Sequence, residues 1–216
     1  ALVITGENAI VVDKNVWLDF YLPDRPLHEP ATRFINTVEK CNANVAIPAA
    51  SVKDVFYVLG KQMKQLVREN GGTVDEATAR AIKDFAWRCV DHMTDLAVSI
   101  PLDDRTAWLT RHYHDITSDY EDGSVLASCA LCKARYLVTH DKDLAARAEV
   151  TTKTAAEMAD LIAHGYVTGK PYLGVRVDNV SQEAQRYGIS AGAVIVSVAD
   201  GSCAEKAGLQ ANDIIT

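Results

Sequence analysis

Residues 11–20 read VVDKNVWLDF. An apolar run that starts at Ala9 ends abruptly on an acid, Asp13; Asn15 follows two residues later, and then a second apolar pattern begins. A short apolar run bounded in this way reads as a buried strand over residues 9–13. A buried strand that ends on a carboxylate puts the acid at the rim of a sheet, where the core opens to solvent.

The same shape recurs along the chain. NVAIP (44–48) reads as a second short strand stopped by Pro48, LAVSIP (96–101) as a third, YLVTHD (136–141) as a fourth that again ends in an acid, and AEVTT (148–152) as a fifth. Between them lie helical periodicities. Residues 28–41 set Phe34, Ile35 and Val38 on one face; 49–69 carry Val52, Val55, Phe56 and Leu59 up to a break at NGG (70–72). Residues 73–93 carry Ile82, Phe85, Ala86, Cys89 and Met93, and a further helix is expected around 103–113. Asp119 opens the next, with Val125, Leu126, Cys129, Ala130 and Cys132 apolar. Thr154 and Glu157 form a capping box before AAEMADLIAHG. Strands that alternate with helices predict an α/β fold with a parallel sheet covered on both faces. In such sheets functional groups gather outside the carboxyl ends of the strands, and both Asp13 and Asp141 stand there.

The 216 residues carry a net charge of −7, with 48% hydrophobic and 24% charged residues. From residue 151 onward five basic and seven acidic residues leave −2, so −5 lies in residues 1–150. Neither part has the basic surplus of a protein that grips nucleic acid by electrostatics alone. Nucleic-acid chemistry here needs bound cations or a local basic patch. No apolar run is long enough to span a bilayer. The N-terminal ALVITGENAIVV lacks a basic start and is not read as a signal peptide. Five cysteines without framework spacing fit reduced thiols, and the expected compartment is the cytoplasm. After Gly165 the texture becomes rich in Gly, Val and Ala, with short β patterns, which predicts a domain boundary near 165–171.

Four acids form the candidate site: Asp13, Asp54 on the helix after the second strand, Asp122 in the first turn of its helix, and Asp141. Each has a plainer reading. Asp13 suits a helix N-cap, Asp54 a solvated flank, and Asp122 a first-turn charge beside the capping Asp119; Asp141 could open a turn. As a set, carboxylates converging in one cleft repel one another unless cations occupy it. Oxygen-only ligands select the hard cations Mg²⁺ or Mn²⁺. Such ions activate water and stabilise the leaving oxygen of a phosphodiester.

The segments VVDKNVWLDFYL, AIPAASVKDVFYVLG and SDYEDGSVLASCALCKARYLVTHDKDL resemble the successive motifs of the PIN-domain family, in order over about residues 9–150. The resemblance implies an α/β/α sandwich with a central parallel sheet. It also implies a metal-dependent endoribonuclease, of the kind found as the toxin of bacterial toxin–antitoxin pairs. Asp13, Asp54, Asp122 and Asp141 would be its catalytic and metal residues, with Mg²⁺ or Mn²⁺ as cofactor and Asn15 orienting Asp13. Asp54 stands where the family has Glu, and Gly123 where Ala is common. Lys14 beside the first ligand is expected to point to solvent, and Glu121 to be a solvated charge. The implied partners are an RNA substrate, an antitoxin protein and a second copy in a homodimer. Arg111 and His112 are candidates for RNA contact. The cations Lys61, Lys64, Arg68, Arg80, Lys83 and Arg88 read as a solvated face. Cys129 and Cys132 read as core packing.

HGYVTGKPYLGVRV and SCAEKAGLQANDIIT resemble the PDZ domain of HtrA-type serine proteases over about residues 165–216. Tyr172, Leu173, Gly174 and Val175 would then be the loop that receives a peptide's C-terminal carboxylate, with the peptide added as a strand. The sequence ends at NDIIT, before the groove's helical wall, so the module is expected to be partial. The apolar stretch ALVITGE could supply a missing strand. The expected organisation is a PIN-like nuclease domain over 1–153, a connecting helix over 154–165 and a partial PDZ-like module over 166–216. The alternative reading is a scaffold that no longer cleaves and serves assembly through its C-terminal part.

Overall fold

The computed structural model describes residues 9–165, 173–181 and 191–215, which fall into two compact units, Ala1–Ala163 and His164–Thr216. The first holds five strands: β1 (Ile10–Val12), β2 (Val45–Pro48), β3 (Ala97–Ile100), β4 (Tyr136–Val138) and β5 (Thr151–Lys153). All are parallel, in the order β3-β2-β1-β4-β5. Alternation along the strands divides the core in two, because successive side chains point to opposite faces. Ile10, Val12, Val45, Ile47 and Val138 pack with Trp17, Phe34, Ile35, Leu59 and Met93 on one side. Ala9, Val11, Ala46 and Leu137 pack with Val125, Leu126, Cys129, Cys132 and Leu144 on the other. The two cysteines are thus core residues, and the sheet is an α/β sandwich buried on both faces.

Eight helices of this unit follow: α1 (Lys14–Tyr21), α2 (His28–Cys41), α3 (Ala49–Glu69), α4 (Glu76–Leu96), α5 (Asp104–His112), α6 (Tyr120–Cys132), α7 (Lys142–Arg147) and α8 (Ala155–His164). Their starts are chemically marked. Asp75 accepts from the Thr78 amide at 2.8 Å, which places the start of α4 at residue 76 rather than 73. Asp119 accepts from the amides of Glu121 and Asp122. The Thr154–Glu157 capping box is made in both directions, at 2.9 and 3.3 Å. The sequence reading assigned no helix to residues 14–21 or 142–147. It also ran the fourth strand on to Asp141. The strand stops at Val138 instead, because Thr139 leaves the β1 ladder to bond Lys153, and Asp141 caps α7. The fifth strand sits at 151–153, later than 148–152, because its register follows β4. At Gly123 a Cβ would lie 3.3 Å from the Thr110 side chain and carbonyl, a tight contact that Thr110 would have to yield to.

Among its described residues the second unit carries an antiparallel sheet of β6 (Val175–Asn179), β7 (Ala193–Val198) and β8 (Ile214–Ile215), in that order, and a short helix, α9 (Cys203–Lys206). This small sheet is what the described residues display of the expected PDZ-like module. Tyr172 and the N-terminal ALVITGE lie outside the described residues. Gly174 has φ +81°, which its missing Cβ permits, and Leu173 beside it is exposed.

Candidate active site

The strand order changes direction between β1 and β4. Chain order runs outward through β2 and β3 on one side of β1 and through β4 and β5 on the other. Such a switch point opens a crevice at the carboxyl ends of its two strands. Asp13 follows β1, and Thr139 to Asp141 follow β4. The Asp13 amide donates to Val138 O at 2.9 Å, which ties the two strand ends together.

Asp13 is 3% exposed. It stands at the N-cap position of α1, yet its Oδ2 is turned to Thr139 Oγ1, which donates at 2.8 Å, and to Asn15 Nδ2, at 3.3 Å. Burial pushes its carboxyl above the usual range, against the lowering effect of the Thr139 hydroxyl and the Lys14 charge. The Thr139 hydroxyl also accepts the Asp141 amide at 3.0 Å, so one threonine joins the first and fourth acids. Asp141 in turn caps α7 through Oδ1, on the amides of Asp143 and Leu144.

Asp122, half-buried, takes a hydrogen bond from Thr117 Oγ1 at 3.3 Å. Its carboxyl is pushed up by burial and then by the negative charges of Asp119, Asp141 and, more weakly, Asp13. Asp122 therefore feels the charges of Asp141 and Asp13, although the three come from separate segments. Asp54 lies on α3, with its recorded partner the neighbouring Lys53 at 3.6 Å. It is not among the charges that act on Asp13 or Asp122. Among the described residues, no three His, Cys, Asp or Glu side chains are already gathered at metal-binding spacing.

Lys14 corrects the sequence expectation. Its ammonium pairs with Glu121 in the first turn of α6, so neither charge is simply solvated. The pair ties α1 to the segment that carries Asp122. Arg111 and His112 end α5 and are exposed; the His112 ring lies against Trp108, tilted by 38°, with ring centres 3.8 Å apart.

Sequence reading passed over Thr139, Thr117 and a buried ionic group behind the fourth acid. Asp19, 3% exposed, accepts from Arg25 Nε and pairs with His140 Nδ1, each at 2.5 Å. His140 Nε2 accepts the Ala155 amide at the start of α8 at 3.4 Å, so the ring proton rests on Nδ1 and is donated to Asp19. Burial pushes the Asp19 carboxyl up, but the hydrogen bonds from His140 and Arg25 and the Arg25 charge outweigh it and hold the group below the usual range. The available signal was Asp19 itself, a charge inside the apolar face of α1.

Several solved structures match this chain at low sequence identity. VapBC2 from Rickettsia felis, bound to a DNA fragment from its promoter, is 11% identical, covers 68% of this chain and 98% of its own, and gives a TM-score of 0.46. FitAcB from Neisseria gonorrhoeae is 16% identical over 68% of this chain and 97% of its own, at 0.47. PAE2754 from Pyrobaculum aerophilum is 16% identical over 73% and 96%, at 0.48. No curated protein matches the chain. Residues 9–143, more than half of the sequence, match the family described as PIN domain, and the chain belongs to the PIN-domain family.

Proposed function

We propose that this chain is a metal-dependent endoribonuclease, the toxin of a toxin–antitoxin pair, working in the cytoplasm with Mg²⁺ or Mn²⁺. PIN domains are in general nucleases and typically use divalent ions. The observation that carries the reading is the gathering of acids at the switch point, where one threonine hydroxyl joins Asp13 to the Asp141 amide. The Asp122 carboxyl is pushed up first by burial and then by the charges of Asp119, Asp141 and Asp13, an arrangement that costs stability unless positive charge enters it. The donor chemistry fits: the groups are carboxylates, which suit a hard cation.

Asp13, Asp122 and Asp141 would hold the ion, with Asp54 contributing from α3, directly or through water. A bound ion supplies an activated water and charge for the in-line displacement at phosphorus. The chain's own residues do the positioning. The Thr139 hydroxyl and Asn15 amide fix the Asp13 carboxylate, and Thr117 fixes that of Asp122. The Lys14–Glu121 pair ties α1, which follows Asp13, to the helix that carries Asp122. An antitoxin and a second copy of the chain are partners that the motif resemblance implies, and Arg111 and His112 are proposed RNA contacts.

Calorimetric titration of the metal-free protein with Mn²⁺, beside Asp13→Asn, tests the centre. Binding in the wild type that disappears in the variant, together with Mn²⁺-dependent cleavage of single-stranded RNA, is the expected result. Undiminished cleavage after Asp13, Asp54, Asp122 and Asp141 are all changed to Asn would end the proposal. A second reading concerns the C-terminal unit alone, as a PDZ-like peptide-binding module. It rests on Gly174 and the exposed Leu173, which lead directly into β6, an edge strand. Silence across a library of C-terminal peptides would count against it.

A further inference from the structure

The helical pair α3–α4 carries a groove of about 790 Å³ whose chemistry departs from that of the chain as a whole. The protein has a net charge of −7. The groove is lined by Lys61, Lys64, Arg80 and Lys83 against one acid, Glu76. Glu76 is taken up by Arg80 at 3.0 Å, and among the described residues the three lysines form no salt bridge. Asp84 faces the adjoining surface with Glu76. The floor is apolar, from Phe56, Ile82 and Ala86.

Two features give the groove direction. On α3, Asp54, Tyr57, Lys61 and Lys64 are spaced i, i+3, i+7 and i+10, which places them on one helix face over about 15 Å. On α4, Arg80, Lys83 and Trp87 form a matching stripe at i, i+3 and i+7. Phe56 joins the two, with ring centres 5.3 Å from Tyr57 and 5.1 Å from Trp87. The aromatic end therefore lies one helical turn from Asp54, and the cations continue away from it. Tyr57 is 66% and Trp87 51% exposed, so both rings leave surface free for a further planar group.

We propose that this groove is a track for single-stranded RNA that runs along α3 and α4 away from Asp54. It rests on the nuclease reading for its direction and deepens it. Unpaired bases would stack on Tyr57 and Trp87, while Lys61, Lys64 and Lys83 neutralise phosphates; this combination of rings and cations binds single strands with little sequence preference. A duplex, whose bases are already stacked, cannot use the rings. The track also removes the objection from net charge, since the cations are concentrated where a strand would run.

The test is fluorescence anisotropy with a labelled 12-nucleotide single-stranded RNA and its duplex form. It is done without metal on the full chain, with thermal unfolding of each variant as a control. Tyr57→Ala and Trp87→Ala are each expected to weaken single-strand binding roughly tenfold. Lys61→Gln/Lys64→Gln/Lys83→Gln is expected to lower the salt slope of log K by about 2, as three lost phosphate contacts require. The duplex should bind more weakly than the single strand. Unchanged affinity and slope in folded variants would overturn the track while leaving the nuclease reading intact. If Asp13→Asn abolishes cleavage but binds the 12-mer as wild type does, the track stands apart from catalysis. If the wild type cleaves nothing with Mn²⁺ but the variants still lose binding, the nuclease reading fails and the track survives. If an acidic amphipathic peptide fills the groove and the 12-mer does not bind, the occupant is a protein and the proposal is wrong.

Discussion

Asp19→Asn removes one negative charge and almost no volume, so its cost isolates the ionic group behind the fourth acid. In the wild type both carboxylate oxygens are used: Oδ1 takes the Arg25 Nε–H and Oδ2 the His140 Nδ1–H. His140 cannot turn its ring to relieve the change, because Nε2 already accepts the Ala155 amide. In the variant the new NH₂ group must face one of these two donors, so a donor meets a donor in a site where Asp19 is 3% exposed. Breaking a fully buried ion pair costs about 3–5 kcal/mol. Arg25, with its side chain 30% exposed, can swing to water, which lowers the expected loss to about 2–3 kcal/mol. For a unit of this size that is a Tm lower by roughly 5–10 °C. Urea unfolding of both proteins at pH 7 measures it, with the m-value unchanged.

The pH dependence supplies an independent check. The folded Asp19 carboxyl is held below its ordinary value of 3.8. Its contribution is therefore complete above that value and is lost as pH falls through the lowered folded value. The gap between wild type and variant should be full at neutral pH and should close at strongly acidic pH. A loss below about 0.5 kcal/mol at pH 7, the ordinary scatter of surface substitutions, or a gap that does not narrow in acid, would refute the reasoning.

The remaining predictions concern the site and its frame. Asp13→Asn and Asp122→Asn should each stabilise the metal-free protein, by about 0.5–2 kcal/mol in urea melts at pH 7, while Mn²⁺ binding disappears. Because both carboxyls are raised, wild-type stability should fall as pH climbs from 3.8 through the folded values, and each substitution should flatten that slope. Thr139→Val keeps the shape but strips the hydroxyl from Asp13 Oδ2 and the Asp141 amide; a loss of about 1–3 kcal/mol and weaker Mn²⁺ binding are expected from melts and calorimetry. Thr154→Ala opens the capping box of α8 and should cost about 1 kcal/mol in urea melts without affecting Mn²⁺ binding.

Much of the fold was legible before any coordinates, because its signals are local. Apolar runs of three to five residues, helical stripes such as Phe34–Ile35–Val38, and the Thr154–Glu157 box depend on neighbours in sequence, and the structure reproduces them. Helices α1 and α7 escaped because both are short and begin close behind a strand, α1 two residues after β1 ends and α7 four residues after β4 ends. Their polar first residues resemble turns.

The sequence by itself determined the alternation of strands and helices, the set of acids at strand ends and helix starts, and the membership of the PIN-domain family. Only the tertiary structure decided which of those acids share a field. Strand order 3-2-1-4-5 sets the end of β1 beside the end of β4, so Asp13 and Thr139 meet across 126 positions of chain. It likewise decided that Lys14 neutralises Glu121, 107 positions away, and that Asp19 and His140 form one buried pair. Pairings of this kind are set by the order in which strands join the sheet. That order comes from packing of whole faces, which no window of neighbouring residues contains.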